Sequence, residues 1–454
     1  MNCPRFMIVA PASGSGKTLV TCGILQALVN RGLKVASFKC GPDYIDPMFH
    51  SRVIGTRSRN LDSFFCDDGM LRFIFGKTAS TCDISVVEGV MGFYDGIGAL
   101  TTEGSSYDVS QKLGIPTVLL VNCKGASISV LPVVEGFLSF RENNIRGVIF
   151  NNMSEKMFGM IAPEVEKLGI KAIGYVPKVS DLVLESRHLG LCMPSEIDEL
   201  KNKLNRLSDI LEKSLDIDML IDMASEASDI EYAVPSIPEK FPGIKVGVAD
   251  DDAFCFTYED NIEVLERYGT EIVRFSPIND DTLPDVDALL FSGGYPELHA
   301  EALCSNETML KDIHDRIAEG MPCIAECGGF MYLHEYLEDS DGKRFRMCGV
   351  IPGNTKNMGK LTRFGYATFR TGCEGMSPET EIKGHEFHYW DSDNNGSDWI
   401  AVKTSGKTYP CEHDDGTLVA GFPHLYYYSN IDFIRGFMKR ASEYSCRKNG
   451  SNRT

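Results

Sequence analysis

Short apolar runs rich in β-branched residues alternate with longer stretches of helical period through the first part of the chain. The runs are Phe6-Met-Ile-Val-Ala10, Val35-Ala-Ser-Phe38, Ile84-Ser-Val-Val87, Pro116-Thr-Val-Leu-Leu-Val121, Gly147-Val-Ile-Phe150 and Ala172-Ile-Gly-Tyr175. Runs of this length read as strands and the segments between them as crossover helices, which predicts a parallel sheet covered on both faces. Ligands are then expected beyond the carboxyl ends of its strands. From about Glu196 to Glu231 the pattern becomes helical and charged, and Pro235, Pro238 and Pro242 interrupt it. A second alternation opens at Ile244-Lys-Val-Gly-Val-Ala249, with a helix near Tyr258 to Tyr268 and strands near Glu271 to Phe275 and Ala288 to Phe291. The expected organisation is an α/β domain over 1–195, a helical segment and Pro-rich linker over 196–243, a second α/β domain over 244–445 and a frayed polar tail over 446–454.

A chain of 454 residues with 43% hydrophobic and 24% charged positions agrees with two or three globular domains. Its 64 acidic against 45 basic residues give a formal charge of -19, which argues against nucleic acid or an anionic membrane as the main partner. A local basic pocket for an anionic substrate is still compatible with that balance. No apolar run is long enough to span a bilayer, and the start of the chain lacks a charged-then-apolar signal pattern, so a cytoplasmic protein is expected. The 15 cysteines are odd in number and form no C-x-x-C pair, which fits neither a disulfide framework nor a zinc knuckle.

Chemistry is concentrated where strands end. Phe6-Met-Ile-Val-Ala-Pro-Ala-Ser-Gly-Ser-Gly-Lys-Thr18 joins a strand to a Gly-rich turn and then a helix. Backbone N–H groups around Ser13, Gly14, Ser15 and Gly16 can cradle nucleotide phosphates, Lys17 can reach the outer ones, and the Thr18 hydroxyl can face Mg²⁺. The strict pattern G-x-x-x-x-G-K-[ST] has Gly where this chain has Pro11. After the second strand comes Lys39-Cys-Gly-Pro-Asp-Tyr-Ile-Asp-Pro47, which brings Asp43 and Asp46 close together; after the Ile84 strand comes Glu88-Gly-Val-Met-Gly-Phe-Tyr-Asp-Gly96. Taken singly, Asp43, Asp46 and Asp95 read as turn-capping residues. Taken with Glu88 at successive strand ends near a phosphate cradle, they suit Mg²⁺-dependent phosphoryl transfer, in which hard oxygen ligands hold the metal. Asn151, ending a later strand, reads equally as a contact to an adenine edge or as a turn residue.

In the second half, Pro322-Cys-Ile-Ala-Glu-Cys-Gly-Gly-Phe330 has the shape of a nucleophile elbow: a strand, a Cys between small neighbours, then a helix. The sharp turn exposes Cys327, and the helix start is expected to lower its thiol pKa. The upstream glycines of Phe291-Ser-Gly-Gly-Tyr-Pro-Glu297 place the Gly294 N–H where, with that of Gly328, it can form an oxyanion hole. A general base is needed, and His385, His388, His413 and His424 are the candidates. His385 and His388, three apart on a strand, put their rings on opposite faces, which speaks against a shared zinc. His424, after an apolar strand late in the domain, is the preferred base.

Together Gly14-Ser-Gly-Lys-Thr18, Gly41-Pro-Asp-Tyr-Ile-Asp-Pro47, Glu88-Gly-Val-Met-Gly-Phe-Tyr-Asp-Gly96, Ser292-Gly-Gly-Tyr-Pro-Glu297, Glu326-Cys-Gly-Gly329 and Gly384-His-Glu-Phe-His388 resemble the cobyrinate a,c-diamide synthase family over nearly the whole chain. The resemblance implies a P-loop, dethiobiotin-synthetase-like ATP-binding domain fused to a class I glutamine amidotransferase domain of flavodoxin-like fold. It also implies amidation of the a and c carboxylates of a corrinoid or related tetrapyrrole, with ATP, Mg²⁺ and glutamine. Cys327 and His424 would then release ammonia; Thr18, Asp43 and Glu88 would hold the metal; Asp43, Tyr44, Asp46 and Asp95 would serve substrate binding and phosphoryl transfer. A homodimer is a candidate assembly. Tyr426 stands where many class I amidotransferases place an acid two residues after the catalytic His, which leaves open what orients His424. The related Ni-sirohydrochlorin a,c-diamide synthase shares these motifs; a non-enzymatic P-loop switch would leave Cys327 and His424 without a use.

Overall fold

The computed structural model describes residues 2–179, 197–371 and 380–451. It divides into two compact units, Met1–Pro235 and Ser236–Thr454. The boundary expected at 195/196 lies outside the described residues, and the division between units falls at the first of the linker prolines.

The first unit is built on seven parallel strands: β1 Arg5–Val9, β2 Val35–Cys40, β3 Arg57–Leu61, β4 Ile84–Glu88, β5 Thr117–Asn122, β6 Ile145–Asn151 and β7 Lys171–Val176, in the order β3-β2-β4-β1-β5-β6-β7. β1 and β4 are buried along their whole length, as strands with helices on both faces must be. β3 is the strand that periodicity does not announce: Arg57-Ser-Arg-Asn-Leu61 is polar because it forms an edge. Helix α1, Lys17–Asn30, leaves the Gly-rich turn and stops where Gly32, at a φ of 82°, lets the Leu33 N–H return to the Leu28 carbonyl. The helix Ile197–Ser214 lies on α1 at Gly23, where an added Cβ would stand 2.5 Å from Leu211 Cδ1. This charged helix therefore buries its leucines, Leu204, Leu207 and Leu211, in the first unit's core.

In the second unit Cys323–Glu326 lies between Ala288–Phe291 and Leu418–Gly421, with Lys245–Ala249 and Glu271–Phe275 beyond, all in parallel; His413–Asp414 adds an antiparallel edge. A five-stranded antiparallel sheet runs Thr408–Cys411, Trp399–Lys403, Arg363–Thr371, Glu381–His388 and His424–Leu425. The last helix, Ile431–Ser451, continues past Cys446, where a polar tail is expected. Among the described residues no helix is long and apolar enough to cross a membrane.

Candidate functional site

The first unit gathers its polar side chains at the carboxyl ends of β1, β2 and β4. Gly14 and Gly16 take φ values of 74° and 95°, so the turn can aim successive backbone N–H groups inward. A Cβ on Gly16 would stand 2.4 Å from Asn151 Nδ2, and that amide donates to the Ser15 carbonyl at 2.8 Å. Asn151 Oδ1 accepts the Asn152 N–H at 2.9 Å, so this side chain fixes the turn from below. Lys17 folds across the turn to donate to the Met91 and Ala12 carbonyls.

Parallel pairing of β2 with β4 sets Lys39 directly opposite Glu88, and the Lys39 ammonium donates to Glu88 Oε1 at 2.7 Å. It also donates to Asp46 and lies 4.0 Å from Asp43 Oδ2. Burial alone would lower the Lys39 pKa, but Glu88, Asp46 and Asp43 outweigh it and hold the ammonium charged. Burial raises the Glu88 carboxyl, with Lys39 opposing. The Thr18 hydroxyl donates to Glu88 Oε1 at 2.7 Å, while Glu88 Oε2 is buried with no hydrogen-bond partner among the described residues. A hydroxyl and a partly unsatisfied carboxylate in contact suit a hard oxygen-seeking cation. Among the described residues no three His, Cys, Asp or Glu side chains form a ready cage; the cation that the carboxylates surround is Lys39. The Asp43 carboxylate accepts the Asp46 N–H at 3.1 Å, Asp95 accepts the Gly92 N–H at 3.0 Å, and Tyr44, next to Asp43 in the chain, is buried.

Lys39 is the charged side chain at the centre of this cluster, and the motif reading passes over it. Its signal is a charged residue at the end of a strand buried throughout.

The second unit builds its site from three strand ends. Cys327 follows Glu326 with φ 48° and ψ −101°, a left-handed geometry rare for a residue with a Cβ, and helix Gly328–Leu333 starts immediately after it. The Cys327 N–H donates to the Gly421 carbonyl at 2.8 Å, which ties the elbow to the strand leading to His424. The elbow lies close against the loop after Phe291: the Gly329 N–H donates to the Ser292 carbonyl at 3.1 Å, and a Cβ on Gly328 would stand 3.0 Å from the Gly294 backbone nitrogen. The expected oxyanion residues are thus adjacent. His424 enters from the antiparallel sheet, paired in register with His385, and a Cβ on Gly293 would stand 2.3 Å from its Cε1. Cys327, His424, Gly294 and Gly328 are all brought to this one place.

The His385 and His424 rings stack at 4.9 Å and 14°. His388 stacks instead on Phe422, at 3.9 Å and 3°. Burial, with His385 and His388 adding to it, holds His424 well below the usual histidine range, which favours the neutral ring with its lone pair free. The Cys327 thiol departs from expectation: burial and then Glu297 push it up, and the Gly328 N–H is the opposing influence. A six-residue helix start is outweighed there by desolvation and a nearby carboxylate. Tyr426, in place of the familiar acid, donates its hydroxyl to Asp260 Oδ2 at 3.0 Å.

Residues 6–191 match the CobQ/CobB/MinD/ParA nucleotide binding domain, and residues 245–430 match the CobB/CobQ-like glutamine amidotransferase domain. Curated relatives extend over both. A cobyrinate a,c-diamide synthase of Listeria innocua is 37% identical over 442 residues, 94% of this chain and 97% of that protein. One of Clostridium acetobutylicum is 37% identical over 447 residues, covering 95% and 99%, and one of Priestia megaterium 35% over 452 residues, covering 97% of each.

Proposed function

This chain belongs to the cobyrinate a,c-diamide synthase family, a group of glutamine-hydrolysing ligases, and from that premise we propose how its two units divide one reaction. The first unit activates a corrinoid carboxylate with ATP and the second supplies ammonia from glutamine.

In the first unit the loop N–H groups from Ser13 to Gly16, with Lys17, hold the phosphates of ATP. A free carboxylate is a poor acyl donor, so a substrate carboxylate attacks the γ-phosphorus and ADP leaves, giving an acyl phosphate. Thr18, Asp43 and Glu88 would hold Mg²⁺, which when bound neutralises charge on the transferring phosphoryl group. Asp95, Asp46 and Tyr44 line the approach to the carboxylate being activated. Lys39 keeps Glu88 and Asp46 together before nucleotide arrives.

In the second unit His424 takes the Cys327 proton as the sulfur attacks the glutamine carboxamide, and the Gly294 and Gly328 N–H groups receive the developing oxyanion. His424 then returns the proton to the departing nitrogen. Water hydrolyses the thioester to release glutamate, and the ammonia displaces phosphate from the acyl phosphate to leave a carboxamide. The use of ATP and glutamine suits a cytoplasmic setting.

The observation that carries this reading is the strained Cys327 elbow, with His424 seated on Gly293, in a chain that also bears the Lys17 phosphate turn. The test is the purified full chain with ATP, Mg²⁺ and glutamine, offered cobyrinic acid and Ni-sirohydrochlorin in parallel, with products followed by mass. Two carboxyl-to-carboxamide conversions on cobyrinic acid are expected. Conversion of Ni-sirohydrochlorin alone would move the substrate assignment, and conversion of neither would end it.

A further inference from the structure

Glu297 closes the motif Ser292-Gly-Gly-Tyr-Pro-Glu297, and the chemistry above makes no use of it. It sits in a short 3-10 turn, Pro296–Leu298. Pro296 Cδ lies 2.9 Å from where a Gly328 Cβ would stand, so this turn is wedged against the residue after the nucleophile. Among the charged groups acting on Cys327, Glu297 comes first, ahead of Glu326 and Glu386. Those two carboxylates are committed elsewhere: Glu326 accepts the Leu425 N–H at 3.3 Å, and Glu386 accepts from the Tyr409 hydroxyl and, at 3.3 Å, from Arg363. Glu297 takes a hydrogen bond from its own backbone N–H. Burial lifts its carboxyl to about 7.

A carboxylate beside a nucleophilic thiol opposes thiolate formation, so its position calls for a compensating role. Glutamine carries one. The carboxamide carbon attacked by sulfur and the α-ammonium are about 5 Å apart along an extended side chain. We propose that Glu297 receives the α-ammonium of glutamine and so selects the amino acid over a simple carboxamide. The assignment rests on the reading of the Cys327 unit as a glutaminase. It also couples binding to chemistry, because the arriving ammonium neutralises the charge that opposes ionisation of Cys327.

The experiment compares the full chain with its Glu297→Gln and Glu297→Asp variants on L-glutamine and on 4-carbamoylbutanoate, which keeps the carboxamide and carboxylate but lacks the α-ammonium. Glutamate or glutarate release is followed with ATP, Mg²⁺ and corrinoid substrate present. Losing a charge-assisted hydrogen bond predicts a KM for glutamine about ten- to a hundredfold higher in Glu297→Gln, with kcat nearly kept and partial rescue in Glu297→Asp. On 4-carbamoylbutanoate the variant and the parent should have equal KM. An unchanged glutamine KM, or an equal rise on both substrates, would overturn the assignment while leaving the glutaminase reading in place. A parent chain that releases no glutamate would overturn both. Should the variants fail to fold, the parent alone decides: equal KM values for the two substrates would refute the ammonium contact.

Discussion

His385 and His424 lie with their rings 4.9 Å apart and 14° from parallel, directly opposite each other across an antiparallel strand pair. The Tyr258 hydroxyl is 3.4 Å from His385 Nδ1, so the stack is braced from its far side. Burial holds His385 down to about 3, which makes it a neutral packing surface for the base. His385→Ala should then loosen His424 and lower kcat for glutamine by about ten- to a hundredfold. Amidation driven by added ammonium chloride should be unaffected, and an equal fall in both activities would contradict this positioning role.

Gly293 limits the ring from below. In Gly293→Ala the new Cβ would stand 2.3 Å from His424 Cε1, closer than real contacts allow. Glutamine-dependent turnover should drop about a hundredfold. Steady-state kinetics beside a thermal melt will separate this from unfolding, since the melting midpoint should barely move.

Lys39→Met removes the ammonium that Glu88 and Asp46 face. Breaking a buried ion cluster from one side costs about 3–5 kcal/mol. The sign with pH follows from Glu88, whose folded pKa is raised by burial. Below its ordinary carboxylate range the group is neutral and the penalty small; as pH rises through the raised value, the uncompensated charge appears. The gap in melting midpoint between variant and parent should be wider at pH 8 than at pH 5. A gap independent of pH would mean that Lys39 acts by packing alone.

The depressed pKa of His424 sets the acid limit of glutamine use. A general base works unprotonated, and this one keeps its lone pair to a pH below that of a free histidine. The acidic limb of kcat/KM for glutamine should fall below about pH 6.5. A limb at or above that pH would show that a group other than His424 takes the proton.

The phosphate turn, the Cys327 elbow and the strands feeding them were legible because each is contiguous. A strand, a Gly-rich turn and a helix occupy consecutive residues, and their conformations follow from local sterics. β3 was hidden because an edge strand need not be apolar. The antiparallel sheet of the second unit escaped for a related reason: long strands with one face left polar or exposed blur into loop composition.

The sequence by itself determined which chemical groups this protein carries and the local turns that present them: Lys17, Thr18, Glu88, Cys327 and the glycines beside them. Tertiary structure alone decided the pairings: Lys39 beside Glu88, His385 against His424, Pro296 against Gly328. These partners are far apart along the chain and meet only through strand register and loop packing. Burial then sets their charge, because desolvation depends on everything that packs around a group.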